Sequence, residues 1–336
     1  MTQPVRRPSA RVVIVNWRQA ELTIRAARSI REQLGGEDVL VIVDNASGDG
    51  SAERLRREEL TVVESSENRG FGAGVNLGAR GMVEEVLVLL NNDAVAEPGF
   101  LEALLAPLGD PPSAAAPAAT TARILLAGRW KPAAPGQQDA LVSPRPGRWT
   151  RLDEEAAARG EGEVLVNSTG NLVDASGNGY DRDWLVPADR EHSPSEVFGL
   201  CGGACAIRRE AWQALRGFRE DLFMYYEDTD LSWRLRKRGW RVLYVREAVA
   251  RHDHASSSGT DSPMFIQVNV RNRILTAAAH SPAPVVMQAL ARTLVRTLRG
   301  PQRGPVLRGL TQALAGLPRE LRQRTRGSAR GSARSR

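Results

Sequence analysis

Cysteine is scarce in this chain of 336 residues, which has only Cys201 and Cys205. Two thiols cannot build the disulfide framework of a small secreted domain, so the pair fits a reducing compartment. Long apolar runs are also missing, since none approaches the roughly 18 residues that a membrane-spanning helix needs. The first strand-like run begins near residue 11, which leaves little room for a signal peptide. We therefore expect a cytoplasmic protein without a membrane span.

Acidic residues are almost missing from the C-terminal segment. From residue 292 onward the sequence has twelve arginines and a single acid, Glu320. This excess is larger than the net charge of +7 of the whole chain, so the residues before the tail are acidic on balance. A nucleic-acid-binding domain should carry its positive face on the fold itself, and we expect no nucleic-acid partner. A basic tail suits an anionic membrane surface better.

Two segments of this tail have the pattern of amphipathic helices. Residues 284–300 and 305–323 place leucine and valine on one helical face and arginine on the other. A helix lying on the inner face of the cell membrane would have this pattern, and we expect peripheral membrane binding. The alternative is that both helices pack on the body of the protein, while the last residues form only a disordered end.

The first hundred residues alternate apolar strands with helical patterns. The strands are expected at "RVVIVNW" (11–17), "VLVIVDN" (39–45), "LTVVES" (60–65) and "VLVLLNND" (86–93). Continuous apolar strands of this kind predict an α/β fold, with a doubly wound, mostly parallel sheet and helices on both faces. Ligands of such sheets bind beyond the carboxyl ends of the strands. Those ends are polar here, at Asn16, Asp44 and Asn91 to Asp93.

Single residues at these ends admit two interpretations. Asp93 follows a strongly apolar run and could hold a divalent cation that keeps most of its ligands from water and phosphates. It could equally be a turn residue, and Asp44 has the same ambiguity. The glycine-rich segment 67–78 follows the third strand and has no G-x-G-x-x-G register, which argues against a nicotinamide site.

Six segments taken together are more specific than any one of them. They are "VIVNW" (13–17), "VDNASGDGS" (43–51), "ENRGFGAGVNLG" (67–78), "LLNNDA" (89–94), "GLCGGACAIRREAW" (199–212) and "FMYYEDTDLSWRLRKRGW" (223–240). In this order the sequence resembles the family-two glycosyltransferases, which are inverting enzymes of the GT-A fold, and within them the rhamnosyltransferase-like branch. The resemblance covers about residues 10–280.

The resemblance implies a donor site and a metal site. The substrate-binding residues it implies are Asn16, Asp44, Asn68, Gly70, Asn76, Asn91, Asn92, Gly202, Gly203, Trp233 and Arg234. Asn16 and Asp44 would contact the base and ribose of the nucleotide. Asp93 would bind Mg²⁺ or Mn²⁺, with His252 completing the metal site and His254 as the other candidate. The sequence departs from the D-x-D pattern because Asn91 replaces the first acid.

The acidic segment at 225–230 would supply the catalytic base. Asp228 matches the second acid of the paired-acid motif, and a carboxylate can take the proton of a sugar hydroxyl as it attacks. Glu227 beside it would raise the carboxylate pKa by repulsion. The same residues also suit a helix start, with Asp228 or Thr229 as the N-cap. Arg234 could face the diphosphate or pair with a nearby acid.

A zinc site is a further alternative. Cys201, Cys205, His252 and His254 carry the right ligand types, but the spacing of the two cysteines is loose for such a site. The glycines between them already have an explanation in the resemblance.

The domain organisation follows from these patterns. We expect a flexible N-terminus (1–10), a nucleotide-sugar-binding half (11–106), a loop-rich Pro/Ala insertion (107–162), a smaller mixed acceptor-side half (163–260), a C-terminal helix (261–290) and the basic tail (291–336).

The expected function is that of a metal-dependent glycosyltransferase. The donor would be a dTDP- or UDP-sugar, with dTDP-rhamnose first and galactofuranose as the next candidate sugar. The acceptor would be a glycan or a polyprenyl-linked glycan of cell-wall or polysaccharide synthesis. The alternative is a catalytically silent nucleotide-sugar-binding scaffold recruited to the membrane by its tail, which Asn91 alone favours.

Overall fold

The computed structural model describes residues 6–109, 116–137, 140–142, 147–253, 262–300 and 302–332. The strands are β1 (Ala10–Asn16), β2 (Val39–Asp44), β3 (Val62–Glu64), β4 (Val86–Leu90), β5 (Ala94–Ala96), β6 (Pro117–Leu126), β7 (Trp130–Pro132), β8 (Leu141–Val142), β9 (Arg148–Arg151), β10 (Val166–Ser168), β11 (Asn171–Val173), β12 (Gly179–Asp181), β13 (Glu196–Val197), β14 (Ala204–Arg208) and β15 (Arg241–His252). The α-helices are α1 (Ala20–Arg31), α2 (Ser51–Arg57), α3 (Phe71–Gly78), α4 (Phe100–Leu105), α5 (Glu154–Ala158), α6 (Arg209–Leu215), α7 (Glu227–Arg236), α8 (Pro263–His280), α9 (Ala283–Arg299) and α10 (Arg303–Ser332). Short 3₁₀ turns cover Ala106–Leu108 and Glu220–Leu222.

The central sheet has the strand order β3-β2-β1-β4-β14-β6-β15-β13. Strands β3, β2, β1 and β4 run parallel to one another, and β15 runs parallel to β6. Strand β14 is antiparallel and lies between β4 and β6. The mostly parallel α/β sheet is thus confirmed, with β14 as the reversed strand between its two parallel parts. Strands β5 and β13 also pair antiparallel with β15, and β10 pairs antiparallel with β6.

Both faces of the sheet are covered, which explains the continuous apolar strands. Along β1, Ile14 packs with α1 and α4 on one face, while Val13 packs with α3, α6 and α7 on the other. Because side chains alternate along a strand, each strand needs apolar residues at every position. The two clusters place the core on both sides of one sheet.

The segment predicted to be a loop-rich insertion contains a central strand. Strand β6 pairs with β14, β15 and β10, and nearly all of its residues are buried. Its sequence "PAATTARILL" continues an Ala- and Pro-rich stretch, so composition alone hides the strand. The described residues that follow β6 in this segment include a small sheet with the order β7-β9-β8 and the short helix α5.

The C-terminal helices pack on the body, as the alternative interpretation of the tail expects. Val306, Leu310 and Ala313 of α10 are buried against Ile266 and Ile274 of α8. Helix α10 continues to Ser332, so its last turns are helical where that alternative expects a disordered end. Among the described residues, none of the helices combines the length and hydrophobicity that crossing a membrane requires.

Candidate active site

A pocket of about 450 Å³ opens at the carboxyl ends of β1 and β4. It brings together eight of the residues predicted from the sequence, namely Asn91, Asn92, Asp93, Gly202, Gly203, Glu227, Asp228 and His252. These residues come from the ends of β4 and β15, from the turn before β14 and from the start of α7. The sheet edge thus collects side chains from four distant parts of the chain.

Asp93 and His252 lie side by side because β5 pairs with β15. The register sets His252 opposite Ala94, and its Nε2 lies 2.9 Å from Asp93 Oδ1. On the other side of the ring, Nδ1 donates to Asn167 Oδ1 at 2.6 Å. Burial alone would lower the pKa of His252, but the hydrogen bond and charge of Asp93 raise it above its ordinary value.

These two side chains fit a divalent cation that takes its other ligands from water and phosphates. One carboxylate and one imidazole suit Mn²⁺, and the carboxylate suits Mg²⁺. Over the described ranges, the chain has no group of three or more acidic, histidine or cysteine side chains that could hold a metal by itself. His254, the other histidine candidate, lies outside the described residues. Asn91 also lines the pocket, and its backbone N–H donates to Gly203 O at 2.8 Å.

The two acids of the catalytic motif stand in the first turn of α7. The N-cap of this helix is Tyr226, in a left-handed conformation, so neither Asp228 nor Thr229 is the N-cap. Asp228 Oδ2 accepts from Gly202 N–H at 3.1 Å, and its Oδ1 accepts from Thr229 N–H at 2.6 Å. The turn before β14 thereby holds the carboxylate in the pocket.

Burial controls the protonation of this pair. It raises the pKa of Glu227 well above the ordinary range, and the charge of Asp228 adds to the effect. Burial also raises the pKa of Asp228, although its hydrogen bonds with Gly202 and Thr229 oppose the shift. Among the described residues, Glu227 Oε2 has no hydrogen-bond partner. Burial, more than the repulsion predicted from sequence, sets these pKa values.

Asn16 and Asp44 do not face this pocket. Asn16 Nδ2 donates to Asp44 Oδ1 at 2.7 Å, and its Oδ1 accepts from Thr23 Oγ1 at 2.7 Å. Asp44 also accepts from the backbone N–H and the hydroxyl of Ser47. Both side chains are at most 3% exposed. In this structure they hold the loop after β2 instead of presenting free polar atoms to a nucleotide.

Asn68, Gly70 and Asn76 also lie outside the set of described residues that line the pocket. Asn68 Oδ1 accepts from Gly70 N–H at 2.9 Å and from Asn45 Nδ2 at 3.0 Å. Gly70 approaches the backbone of Phe223, not an open cleft. Asn76 Nδ2 donates to Phe218 O at 3.0 Å and faces a different depression.

Trp233 and Arg234 serve the packing of α7. Trp233 stacks on His280, with ring centroids 5.9 Å apart. Arg234 Nε donates to Asp230 Oδ2 at 2.6 Å, and its Nη1 donates to Leu215 O. The ion-pair alternative for Arg234 is therefore the one that the structure contains.

Sequence reasoning missed part of the pocket wall. Trp17 and Asn167 line it, and so do Tyr180 and Asp181 of the β11-β12 hairpin. Burial raises the pKa of Asp181 to about 6, with a further contribution from the charge of Asp228. The hairpin carries no motif, and its only local sequence signal is the turn-rich stretch "DASGNG" (174–179).

The two cysteines have different surroundings. Cys205 is fully buried in the apolar cluster around β14, whereas Cys201 lines the pocket. Burial raises the pKa of both thiols well above their ordinary value. This pair gives the zinc alternative no support.

Comparison with known proteins adds a family and several relatives. The profile described as "Glycosyltransferase like family 2" matches residues 7–273. The chain is similar to the N-acetylglucosaminyl-diphospho-decaprenol L-rhamnosyltransferase of Mycobacterium tuberculosis, with 26% identity over 269 residues that cover 72% of this chain and 75% of the relative. It is also similar to the low-salt glycan biosynthesis hexosyltransferase Agl10 of Haloferax volcanii, with 20% identity over 271 residues that cover 79% and 74%.

Two solved structures share the fold at low sequence identity. The mannosyltransferase PcManGT of Pyrobaculum calidifontis, in complex with GDP-Man and Mn²⁺, has a TM-score of 0.52 and 16% identity, covering 92% of this chain and 88% of that one. GalNAc-T7 with UDP, GalNAc and Mn²⁺ has a TM-score of 0.51 and 15% identity, covering 84% and 53%. At these identities the likeness concerns the fold alone.

Proposed function

Because this chain belongs to the family-2-like glycosyltransferases, we propose that it moves a sugar from a nucleotide-sugar to an acceptor hydroxyl by direct displacement, with Asp228 as the base. The observation that carries the proposal is the placement of Asp228. Its carboxylate is held by the Gly202 N–H in the same pocket as Asp93 and His252. The alternative of a catalytically silent scaffold leaves this pair of buried acids without a role.

In the proposed reaction Asp228 takes the proton of the acceptor hydroxyl. The hydroxyl oxygen attacks the anomeric carbon from the side opposite the diphosphate, so the configuration at that carbon is inverted. Burial that raises the pKa of Asp228 makes the carboxylate a stronger base. Glu227, with its own pKa raised, stays protonated near neutral pH and spares Asp228 a neighbouring negative charge.

Asp93 and His252 would hold the divalent cation of the proposed reaction, Mg²⁺ or Mn²⁺. When bound, the cation offsets the negative charge that develops on the departing diphosphate. The Mn²⁺ in the two similar structures and the adjacent carboxylate and imidazole support this assignment. Asn91 would contribute an amide beside the cation where the family pattern has a carboxylate.

Rhamnose from dTDP-rhamnose is the proposed donor sugar, with a UDP-sugar as the other donor class. The activity of the mycobacterial relative, an L-rhamnosyltransferase acting on a decaprenol-linked sugar, supports both the sugar and a polyprenyl-linked glycan acceptor. Residues 11–106 would form the nucleotide-sugar half and residues 163–260 the acceptor half, in which Asp181 faces the pocket.

A thermal-shift screen tests the donor and metal assignments together. Ligands that bind only the native state raise its stability, so nucleotides and nucleotide-sugars are compared with and without Mn²⁺ or Mg²⁺. We expect a metal-dependent shift with a dTDP- or UDP-sugar that is lost in Asp93→Ala. Folded protein that shows no shift with any nucleotide would contradict the proposal.

We also propose that α9 and α10 bind an anionic membrane surface. Each helix has a second, exposed apolar row besides its buried face. Leu294 and Leu298 of α9 are 51% and 63% exposed, and Leu307 and Leu314 of α10 are 49% and 48% exposed. Arginines at 292, 296, 299 and 308 are exposed beside these rows. Leucine next to arginine is the pattern of an interfacial helix.

The membrane proposal needs point variants, because removing α10 would expose the buried face of α8. We expect the Leu294→Glu, Leu298→Glu double variant to lose binding to phosphatidylglycerol vesicles in a flotation assay. Val83→Glu is the matched control, since Val83 is 76% exposed and lies outside these helices. Equal binding by both variants would contradict the proposal, as would equal binding of the unaltered chain to neutral vesicles.

A further inference from the structure

The backbone that leads into the catalytic acids has an unusual conformation. Phe223, Tyr225 and Tyr226 have positive φ angles of 67°, 64° and 71°, although none of them is glycine. Glu227 and Asp228 follow directly, and Tyr225 and Tyr226 line the pocket themselves. Non-glycine residues keep such angles only where the surrounding structure holds them. Something must therefore fix the segment 222–226, which we call the tyrosine loop.

A single buried side chain of α8 holds most of this loop. Asn272 is fully buried, and its Nδ2 donates to the carbonyl oxygens of Leu222, Met224 and Tyr225 at 2.9, 2.9 and 2.8 Å. Two N–H bonds thus serve three carbonyl groups of one loop. The amide gathers carbonyl oxygens that a regular helix or strand would point in other directions.

A neighbouring arginine sets the orientation of this amide. Arg271 Nε donates to Asn272 Oδ1 at 2.8 Å, and its Nη2 donates to Leu222 O at 2.6 Å. The oxygen of Asn272 is therefore occupied, and its nitrogen is directed at the loop. Phe265, from the first turn of α8, adds an edge contact with Tyr225 at a centroid distance of 4.9 Å.

We propose that Asn272 is a positioning residue for the catalytic carboxylates. It acts through the backbone of the tyrosine loop and sets where α7 begins, and hence where Asp228 stands relative to the pocket. This inference rests on the proposed role of Asp228 as the base. An apolar side chain at position 272 would leave the carbonyl oxygens of Met224 and Tyr225 without this donor and release the loop, although Leu222 O would keep its bond from Arg271.

The test compares Asn272→Leu with the matched control Thr276→Val. Thr276 lies one helical turn further along α8 and is 2% exposed, and its hydroxyl has no hydrogen-bond partner among the described residues. Hydrogen exchange is measured at residues 223–228, together with kcat and its pH profile and the dissociation constant of the donor. We expect exchange at least 10-fold faster and kcat at least 10-fold lower in Asn272→Leu, with donor affinity within threefold and the pH midpoint of kcat moved. Thr276→Val should change none of these.

Each outcome decides the inference separately from the proposed function. Unchanged exchange at residues 223–228 in Asn272→Leu overturns the inference, whether or not the unaltered protein transfers a sugar. Faster exchange with normal kcat and pH profile also overturns it, because the loop would then be structural only. If Asn272→Leu does not fold, Arg271→Met is measured instead, and unchanged exchange and kcat in that variant overturn the inference. No transfer by the unaltered protein with any donor counts against the proposed function instead.

Discussion

Replacing Gly70 with alanine should damage both stability and catalysis, because two loops meet there at very short range. Gly70 has φ 86° and ψ 178°. A Cβ added to it would lie 1.8 Å from Phe223 O and 2.4 Å from Phe223 C, where real contacts are not under 3.0 Å. The loop after β3 and the tyrosine loop would have to separate by more than an ångström.

The expected magnitude has two parts. The backbone conformation costs a non-glycine residue about 1–3 kcal/mol, and forcing extra volume into a packed contact costs about 1–3 kcal/mol more. We therefore expect the free energy of unfolding of Gly70→Ala to fall by about 2–6 kcal/mol. Because Phe223 is followed closely by Asp228, a displacement of this size should also lower kcat by about 100-fold.

Gly99→Ala is the control that separates the two parts. Gly99 also has a positive φ, 81°, but open space surrounds the position where a Cβ would lie. This variant should lose only about 1–2 kcal/mol in urea denaturation and keep its kcat. If Gly70→Ala matched Gly99→Ala in its free energy of unfolding and had normal kcat, the contact between Gly70 and Phe223 would contribute nothing to stability or catalysis.

The other predictions concern the acids. Asp228→Asn should lower kcat by about 10² to 10⁴-fold with donor affinity within threefold, and normal turnover would remove the proposed base. Near neutral pH, Glu227→Gln should lower kcat by a factor at least about tenfold smaller than Asp228→Asn does, because burial already keeps Glu227 protonated. An equal loss of kcat in the two variants would contradict that account. The kcat of the unaltered protein should rise with pH through a midpoint above the ordinary aspartate pKa of about 3.9, since Asp228 must lose its proton and burial raises its pKa; a midpoint below about 4 would argue against it. Glu320→Gln should lower the free energy of unfolding by about 2–3 kcal/mol. This is less than the loss expected for an isolated buried ion pair, because Arg219 keeps its ion pair with Asp221. The control Leu321→Ala should change the free energy of unfolding by under about 0.5 kcal/mol. Urea melts of the two variants measure this difference.

The central sheet was predictable from the sequence because strands buried on both faces appear as continuous apolar runs. Strands such as β4 are apolar at every position, and the polar residues that follow them had to meet at one edge. Strand β6 escaped the prediction, since its small residues resemble the low-complexity stretch around it. Its place between β14 and β15 depends on partners distant in sequence, which composition does not reveal.

The direction of a polar side chain was the hardest property to predict. Asn16 and Asp93 both follow apolar strands, yet Asn16 turns to Asp44 inside the protein and Asp93 reaches the pocket. A strand end looks the same in both cases. Asn76 Nδ2 donates a hydrogen bond to the carbonyl oxygen of Phe218, which lies 142 positions away in the sequence. No local sequence pattern predicts such a contact. Asp181 was missed although it lines the pocket, because its hairpin carries no sequence motif.

The ion pair between Arg219 and Glu320 has a consequence for the order in which the chain is assembled. Glu320 is 2% exposed, and its carboxylate accepts from Arg219 at 2.6 and 3.0 Å across 101 positions of sequence. A nascent chain is made from its N-terminus, so β1 to β4 can pair long before residue 320 exists. Arg219 lies just ahead of the tyrosine loop, and its partner Glu320 is synthesised 101 residues later. The part of the protein that carries Asp228 thus completes this ion pair only after β1 to β4 have been synthesised.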